Sequence, residues 1–425
     1  MKKSGFVKKI GLLGPYGGGN LGDAAIQQAM IENIRRHYPD AEIYGFSLNP
    51  EDTERRHGIP SFPIGRISWV DDPQHANRLA KKIAAWLGNQ SNPRLQKLER
   101  WVLRVPVEFG LLSQAFKNLK GFQMLIASGG GQLDDYWGGP WSHPYTLLRW
   151  AILSKLRGTK YMFVSVGAGP LDAGLSRFFI RRALALAQYR SYRDEPSKKF
   201  MAKCGFRRDD PVYPDLAFSL KANGKPAELP NPALRPVVGI GPMSYFDPRN
   251  WPESDSEIYM GYLSKLATFA EWLIQKGCTI VFITGDIFPD REAIRDLCAI
   301  LEQRGVEYAK GQIIENLIAT VDDLLQSIAL TDIVIASRFH GVLLSQLMIR
   351  PVLALSYHPK IDALMEESGQ SEYCLSIDTF DVGLLKERFT ALMENYPAAK
   401  AQVARHTTKN QMLLEQQYDH IFSEG

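Results

Sequence analysis

"KIGLLGPYGGGNLGDAAIQQAMIENIRRHY", residues 9–38, decides how the rest of the chain is read. A short apolar run, "KIGLLG", ends in a glycine-rich loop. The loop passes directly into "DAAIQQAMIENIRRHY", where Ile26, Met30 and Ile34 recur at four-residue spacing behind Asp23, a natural helix N-cap. Strand, loop and helix in that order open a βαβ unit. The alternation continues through expected strands at "AEIYGFSL", "FQMLIAS", "KYMFVSVG" and "QYRSYR", with helices between most of them. A second series starts at "PVVGIG". It runs through a helix at "EIYMGYLSKLATFAEWLIQKG", the strand "CTIVFITG", helices at "DREAIRDLCAILEQRG" and "VDDLLQSIAL", the strand "DIVIAS", a helix after Gly341 and the strand "PVLALSY". Between the series, "KANGKPAELPNPALRP" holds four prolines and no periodic pattern. The predicted fold is α/β, with two Rossmann-like lobes facing a cleft. The first lobe takes residues 1–221, a linker 222–236, the second lobe 237–400 and a C-terminal helix 401–425.

With 425 residues, 45% hydrophobic and 23% charged, the chain has the composition of a globular protein of two ordinary domains. A net charge of +4 and a pI near 8.7 suit an anionic substrate or membrane surface and are too small to point to nucleic acid. Cys204, Cys278, Cys298 and Cys374 are scattered without a C-x-x-C pair, so neither disulfides nor a zinc site is expected. The N-terminal lysines precede an apolar stretch of only about four residues, too short for a secretory leader. No window approaches a membrane span, and a cytoplasmic location is expected. One segment departs from the pattern. Residues 77–121 carry nine Lys or Arg against two Glu, with Trp86 and Trp101 on apolar faces. Such a basic helical insertion either lies on anionic lipid at the inner face of the membrane or packs its apolar stripe on the first lobe.

The glycine loops carry the chemistry. "GPYGGGNLGDAAI" stands where α/β folds bring ligands close to backbone, yet it has neither a dinucleotide frame nor the G-K-[ST] ending of a triphosphate loop. Asn20 and Asp23 offer hydrogen bonds to hydroxyls, or Asp23 only caps the helix. "ASGGGQLDDYWGGPW" follows the strand "FQMLIAS" and supplies Gln132, Asp134, Asp135 and Trp137 within a few residues. Aromatic faces beside carboxylates and amides suit a pyranose, whose hydroxyls donate to the acids. In "SYRDEPSKKF", Arg193 follows a strand and either reaches an anion or pairs on the surface. "ASRFHGVLL" sets Arg338, Phe339 and His340 after an apolar run. If the backbone stays extended through His340, Arg338 and His340 share one face, and a helix opening at Gly341 adds its positive dipole end. That is an anion pocket with an acid attached.

Taken in order, "GGGNLGD", "ASGGGQLDD", "SVGAGPL", "SYRD", "YPDLAF", "SRFHG" and "SYHPK" resemble the landmarks of the polysaccharide pyruvyl transferase family, over roughly residues 10–370. The resemblance implies a GT-B-like architecture and transfer of a pyruvyl group from phosphoenolpyruvate to sugar hydroxyls, giving a pyruvate ketal and phosphate without a cofactor or metal. It further implies that Arg338, His340 and Lys360 hold phosphoenolpyruvate in the second lobe and that Arg193 joins them from the first. Asn20, Asp23, Gln132, Asp134, Asp135 and Trp137 are the expected acceptor ligands, read from their residue types in the glycine loops. His340 is the candidate acid and Asp134 the candidate base for the attacking hydroxyl. The acceptor is expected to be a polysaccharide or its lipid-linked precursor, with peripheral membrane contact. The rival reading is a nucleotide-sugar-dependent GT-B glycosyltransferase, in which Arg338 and Lys360 hold a diphosphate. A noncatalytic sugar-binding protein is the third.

Overall fold

Two parallel sheets of six strands carry the fold, and one strand order builds both. The computed structural model describes residues 7–65, 110–136, 138–221, 236–251 and 253–423. Trp137, residues 77–109 of the basic segment and residues 222–235 of the expected linker lie outside the described residues.

The first sheet comprises β1 (Lys9–Leu13), β2 (Glu42–Ser47), β3 (Ser61–Pro63), β4 (Phe122–Ser128), β5 (Lys160–Val166) and β6 (Tyr189–Tyr192) in the order β3-β2-β1-β4-β5-β6. Parallel pairing demands crossovers, supplied by α1 (Leu21–His37), α2 (Pro50–His57), α3 (His143–Arg157) and α4 (Gly174–Leu186), while α5 (Glu195–Lys203) follows β6. The central strands are buried on both faces, which is why they read as continuous apolar runs. Trp150 of α3 anchors this core. It meets Phe46 edge-on at 4.9 Å and donates its indole N–H to the Ile64 carbonyl at 2.8 Å.

The second sheet comprises β7 (Val237–Gly241), β8 (Thr279–Phe282), β9 (Ile313–Glu315), β10 (Ile333–Ala336), β11 (Val352–Ser356) and β12 (Cys374–Ser376), ordered β12-β11-β10-β7-β8-β9. Its helices are α6 (Ser256–Gln275), α7 (Pro289–Gln303), α8 (Val321–Ala329), α9 (Phe339–Leu347), α10 (Pro359–Glu367), α11 (Val382–Glu394) and α12 (Tyr396–Ser423). Numbered within its own sheet, each lobe runs 3-2-1-4-5-6, the doubly wound order whose direction reverses between the first and fourth strands. The architecture is therefore two Rossmann-like lobes. Three strands absent from the sequence reading, β3, β9 and β12, are three-residue edge strands without a continuous apolar run.

The chain divides into two compact units, Met1–Gly18 with Ile34–Asp215, and Gly19–Asn33 with Leu216–Gly425. Most of α1, from Leu21 to Asn33, thus belongs with the second sheet, unlike the simple division at residue 221. The reason is local: Leu21 donates its N–H to the Gly285 carbonyl at 2.9 Å, and Ile287 donates to the Gly19 carbonyl at 3.1 Å. The C-terminal helix also starts earlier than expected, at Tyr396 rather than 401. Thr407 on it donates to the Gln346 carbonyl of α9 at 2.8 Å.

His406 on α12 provides a pH test. Its ring lies edge-on to Phe218 at 5.6 Å and pairs with the Asn410 amide at 3.1 Å. Burial, and secondarily the Lys409 charge, lowers its pKa from 6.5 to about 4. Below pH 6.5 the unfolded chain takes up a proton that the folded ring refuses until about pH 4. The stability tied to His406 is therefore whole above pH 6.5 and is lost as the pH falls toward 4, by at most about 1.4 kcal/mol per pH unit. Urea titrations over that range should give a shallower pH dependence for His406→Gln than for the wild type, by about one proton. Equal slopes would show that the ring titrates alike in both states.

Candidate active site

In the second unit the strand order reverses between β7 and β10, and the chain leaves β10 there carrying "SRFHG". Ser337 and the buried Tyr262 hydroxyl hydrogen-bond at 2.9 Å, and that hydroxyl also accepts the Met243 N–H at 3.3 Å. Arg338 is the N-cap of α9, with extended backbone, and the helix begins at Phe339. This corrects the expectation of extended chain through His340. Gly341 lies within the first helical turn, so strand alternation does not set the direction of His340.

Arg338 is gripped side-on. Its Nε donates to Asp290 Oδ2 and its Nη2 to Asp290 Oδ1, each at 2.6 Å. Asp290 is fully buried, and its Oδ2 also accepts the Gly285 and Asp286 N–H groups at 3.1 and 2.8 Å. The Asp286 carboxylate stands 3.9 Å from Nη2. Burial opposes the charge on Arg338, but the Asp290 and Asp286 carboxylates outweigh it and hold the guanidinium well above its ordinary range.

His340 lies against the start of α1. A Cβ on Gly22 would fall 1.9 Å from His340 Nδ1, so only glycine admits the ring there. Asn20 is the true cap of α1, its Oδ1 accepting the Gly22 and Asp23 N–H groups at 2.8 and 3.3 Å, and Asp23 sits inside the first turn. Lys360 is the second residue of α10, not a strand end. His358 caps that helix by accepting the Lys360 N–H at 3.2 Å, and Lys360 Nζ lies 5.6 Å from the Phe339 ring centroid and 6.0 Å from that of Tyr357. Arg338, His340, Lys360, Asn20 and Asp23 therefore belong to one neighbourhood, at the N-terminal ends of α1, α9 and α10.

The first unit reverses between β1 and β4. Beyond the strand ends, the loops "SGGGQLDD" and "SVGAG" continue the pairing: Gly167 donates to the Gly130 carbonyl at 2.7 Å, Leu133 to Gly167 at 3.1 Å and Gly169 to Leu133 at 3.0 Å. Ser165 holds a left-handed φ of 50°, with its N–H donated to Ser191 Oγ at 2.8 Å. Asp134 fits between Gly131 and Gly169, where added Cβ atoms would lie 3.3 Å from its Oδ2 and 3.1 Å from its Cβ. Arg193 passes Gly167, with Nη2 2.7 Å from where a Cβ would stand, and pairs with Asp194 at 3.3 Å and the buried Asp215 at 3.5 Å. One glycine loop thus brings Asp134 and Arg193 together.

Two further expected acceptor ligands are otherwise engaged. The Asp135 carboxylate accepts the Asp172 and Ala173 N–H groups, both at 3.2 Å, and so holds the start of α4. Gln132 is fully buried, its Oε1 3.0 Å from His143 Nε2, and burial lowers the His143 pKa to about 4. The sequence reading missed Asp290 and Asp215. Both lay in quoted stretches, but nothing local marks which carboxylate will meet an arginine from a distant strand.

The family model for polysaccharide pyruvyl transferase matches residues 20–359. No curated protein sequence matches the chain. Among solved structures, a protein of Listeria monocytogenes assigned as a UDP-N-acetylglucosamine 2-epimerase is similar at TM-score 0.59 and 12% identity, covering 99% of this chain and 98% of that one. A glycosyltransferase from Rickettsia africae gives 0.56 at 11% identity, with 99% and 100% covered. S. aureus MnaA, solved with UDP, gives 0.55 at 10%, with 98% and 96% covered. At such identities the likeness shows the shared two-lobed fold.

Replacing Asp290 by asparagine should destabilise the second unit by about 3–5 kcal/mol, because it leaves Arg338 buried without its counter-charge. The double variant Asp290→Asn, Arg338→Ala should lose less than Asp290→Asn and Arg338→Ala lose in sum, and thermal denaturation of the wild type and these three variants measures the coupling. Strict additivity would mean that the pair contributes nothing beyond its separate residues.

Proposed function

Because the chain belongs to the polysaccharide pyruvyl transferase family, we propose that it moves a pyruvyl group from phosphoenolpyruvate onto two hydroxyls of one sugar, in a polysaccharide or its lipid-linked precursor. The observation that carries the donor assignment is the gathering of Arg338, His340 and Lys360 at the N-terminal ends of two helices beside a topological switch point. Phosphoenolpyruvate carries a phosphate and a carboxylate on a three-carbon frame. Helix-terminal N–H groups and two cations suit that compact anion.

In the proposed reaction, the donor methylene carbon takes a proton and its C2 becomes oxocarbenium-like. A sugar hydroxyl adds to C2 and loses its proton to a base. The C2–O bond to phosphate then breaks, phosphate leaves with the electron pair, and a second hydroxyl of the same sugar adds and releases its proton, closing the ketal. His340 is assigned the donor-side proton, to carbon or to the leaving phosphate, and Asp134 the proton of the attacking hydroxyl. Asp290 would keep Arg338 Nε and Nη2 turned inward, so that the anion meets Nη1 and the remaining Nη2 hydrogen.

Calorimetric titration of phosphoenolpyruvate, UDP and GDP tests this reading; UDP matters because a neighbour of the same fold was solved with it. We expect phosphoenolpyruvate to bind and the nucleotides not to. Lys360→Ala should weaken donor binding about tenfold, in keeping with the loss of one charge-assisted contact. His340→Gln should keep donor binding yet slow pyruvyl transfer to an acceptor glycan, read as released phosphate, by roughly a hundredfold to ten-thousandfold. Nucleotide binding without phosphoenolpyruvate binding would replace this reading by nucleotide-sugar transfer.

A further inference from the structure

The paired helices α3 and α4 of the first unit present a surface that the proposed chemistry does not use. Together they present Lys155, Arg157, Arg177, Arg181 and Arg182, and neither contains an Asp or Glu; Arg149 of α3 is buried and donates to the Ile64 carbonyl. Their outer faces also leave large apolar side chains in solvent: Leu156 is 69% exposed and Phe178 47%, and Ile152 and Leu175 are exposed as well. Ile152 and Leu156 stand one turn apart on α3, as do Leu175 and Phe178 on α4, so each helix shows an apolar stripe. At the N-terminal end of the pair, Trp141 contacts Tyr145 at 5.5 Å and Phe179 at 5.3 Å, and Phe178 continues the run at 5.9 Å from Phe179. The Arg182 guanidinium lies over the Phe178 ring, 5.3 Å from its centroid.

Exposed leucine, isoleucine and phenylalanine ringed by arginine and lysine suit an interface where apolar tips enter acyl chains and cations meet phosphate. We propose that the α3–α4 face seats the protein on an anionic lipid bilayer. The charge pattern selects that occupant. A second copy docking the same face about a two-fold axis would oppose cation to cation with no carboxylate on either helix to relieve it. A bilayer supplies the missing anions. Among the described residues no helix is long and apolar enough to cross a membrane, so the contact is peripheral. The inference is independent of the donor chemistry, because its argument uses none of Arg338, His340, Lys360, Arg193 and Asp134.

The test is co-sedimentation of the full chain with vesicles of phosphatidylcholine alone and of phosphatidylcholine mixed with phosphatidylglycerol. Three variants accompany the wild type: Leu156→Ser with Phe178→Ser, Arg181→Glu with Arg182→Glu, and charge reversal at Lys81, Lys82, Arg100 and Arg104 of the basic segment. We expect binding to the anionic vesicles only, weakened by salt. Each α3–α4 variant should weaken it about tenfold or more, while its thermal midpoint and phosphoenolpyruvate titration stay those of the wild type. Three results would overturn the proposal: absence of vesicle binding, binding lost only on reversal in the basic segment, or a fall in oligomeric state on ultracentrifugation of the Leu156→Ser, Phe178→Ser variant. The last would make the face a subunit contact. Because the titration is read separately, failure of the donor reading leaves the vesicle result standing.

Discussion

A single buried carboxylate organises the loops at the strand ends of the second unit. Asp290 receives four hydrogen bonds, two from Arg338 and one each from the Gly285 and Asp286 amides. It thereby joins the loop after β8 to the start of α9, and Gly285 in turn accepts from Leu21 at the head of α1. A buried ion pair of this kind adds little net stability, because desolvating two charges costs nearly what their attraction returns. Its value lies in direction. A guanidinium held on two of its nitrogens cannot swing, and every element that meets this pair inherits its placement.

Glycine is the complementary constraint, since the glycines of both units record where charged side chains enter. A Cβ at Gly22 would overlap the His340 ring, one at Gly285 would stand 2.9 Å from Arg338 Cδ, and one at Gly167 would stand 2.7 Å from Arg193 Nη2. All three lie beside a point where strand order reverses, the place at which an open parallel sheet leaves room for a ligand. Two copies of one topology therefore apply one device, in which backbone without a side chain admits a side chain with chemistry.

How much of this was legible follows from where the information sits. The central strands and long helices were, because burial on both faces or on one stripe writes a local pattern. Three-residue edge strands write none, and β3, β9 and β12 were invisible. The residues of the candidate site were visible as types at suspicious positions, but their partners were not. Asp23 was read as the cap of α1, whereas Asn20 caps it, since both are good caps and only backbone geometry tells them apart. Gln132 and Asp135 looked like ligands because amide and acid in a glycine loop serve ligands and loops equally. Their contacts to His143 and to the start of α4, both made across the fold, left no local mark in the sequence.

The fold by itself leaves the donor open. Proteins of this architecture at 10–12% identity include an epimerase and a glycosyltransferase named for quite different reactions, so chemistry has to be argued from the site. Charge balance in the second unit bears on that choice. Arg338 is matched by Asp290, and Asp286 adds a second carboxylate beside it, so the three groups together carry net negative charge and do not attract an incoming anion. Attraction must come chiefly from Lys360 and from the N–H groups at the helix starts, with Arg338 providing shape and hydrogen bonds rather than bulk charge. Such a site favours a small anion that can touch several donors at once over one that relies on long-range attraction. Phosphoenolpyruvate, with two acidic groups on three carbons, meets that condition. A diphosphate could occupy the same donors, but a nucleotide would need a further platform for its base, and that requirement makes the nucleotide titration the sharpest discriminator between them.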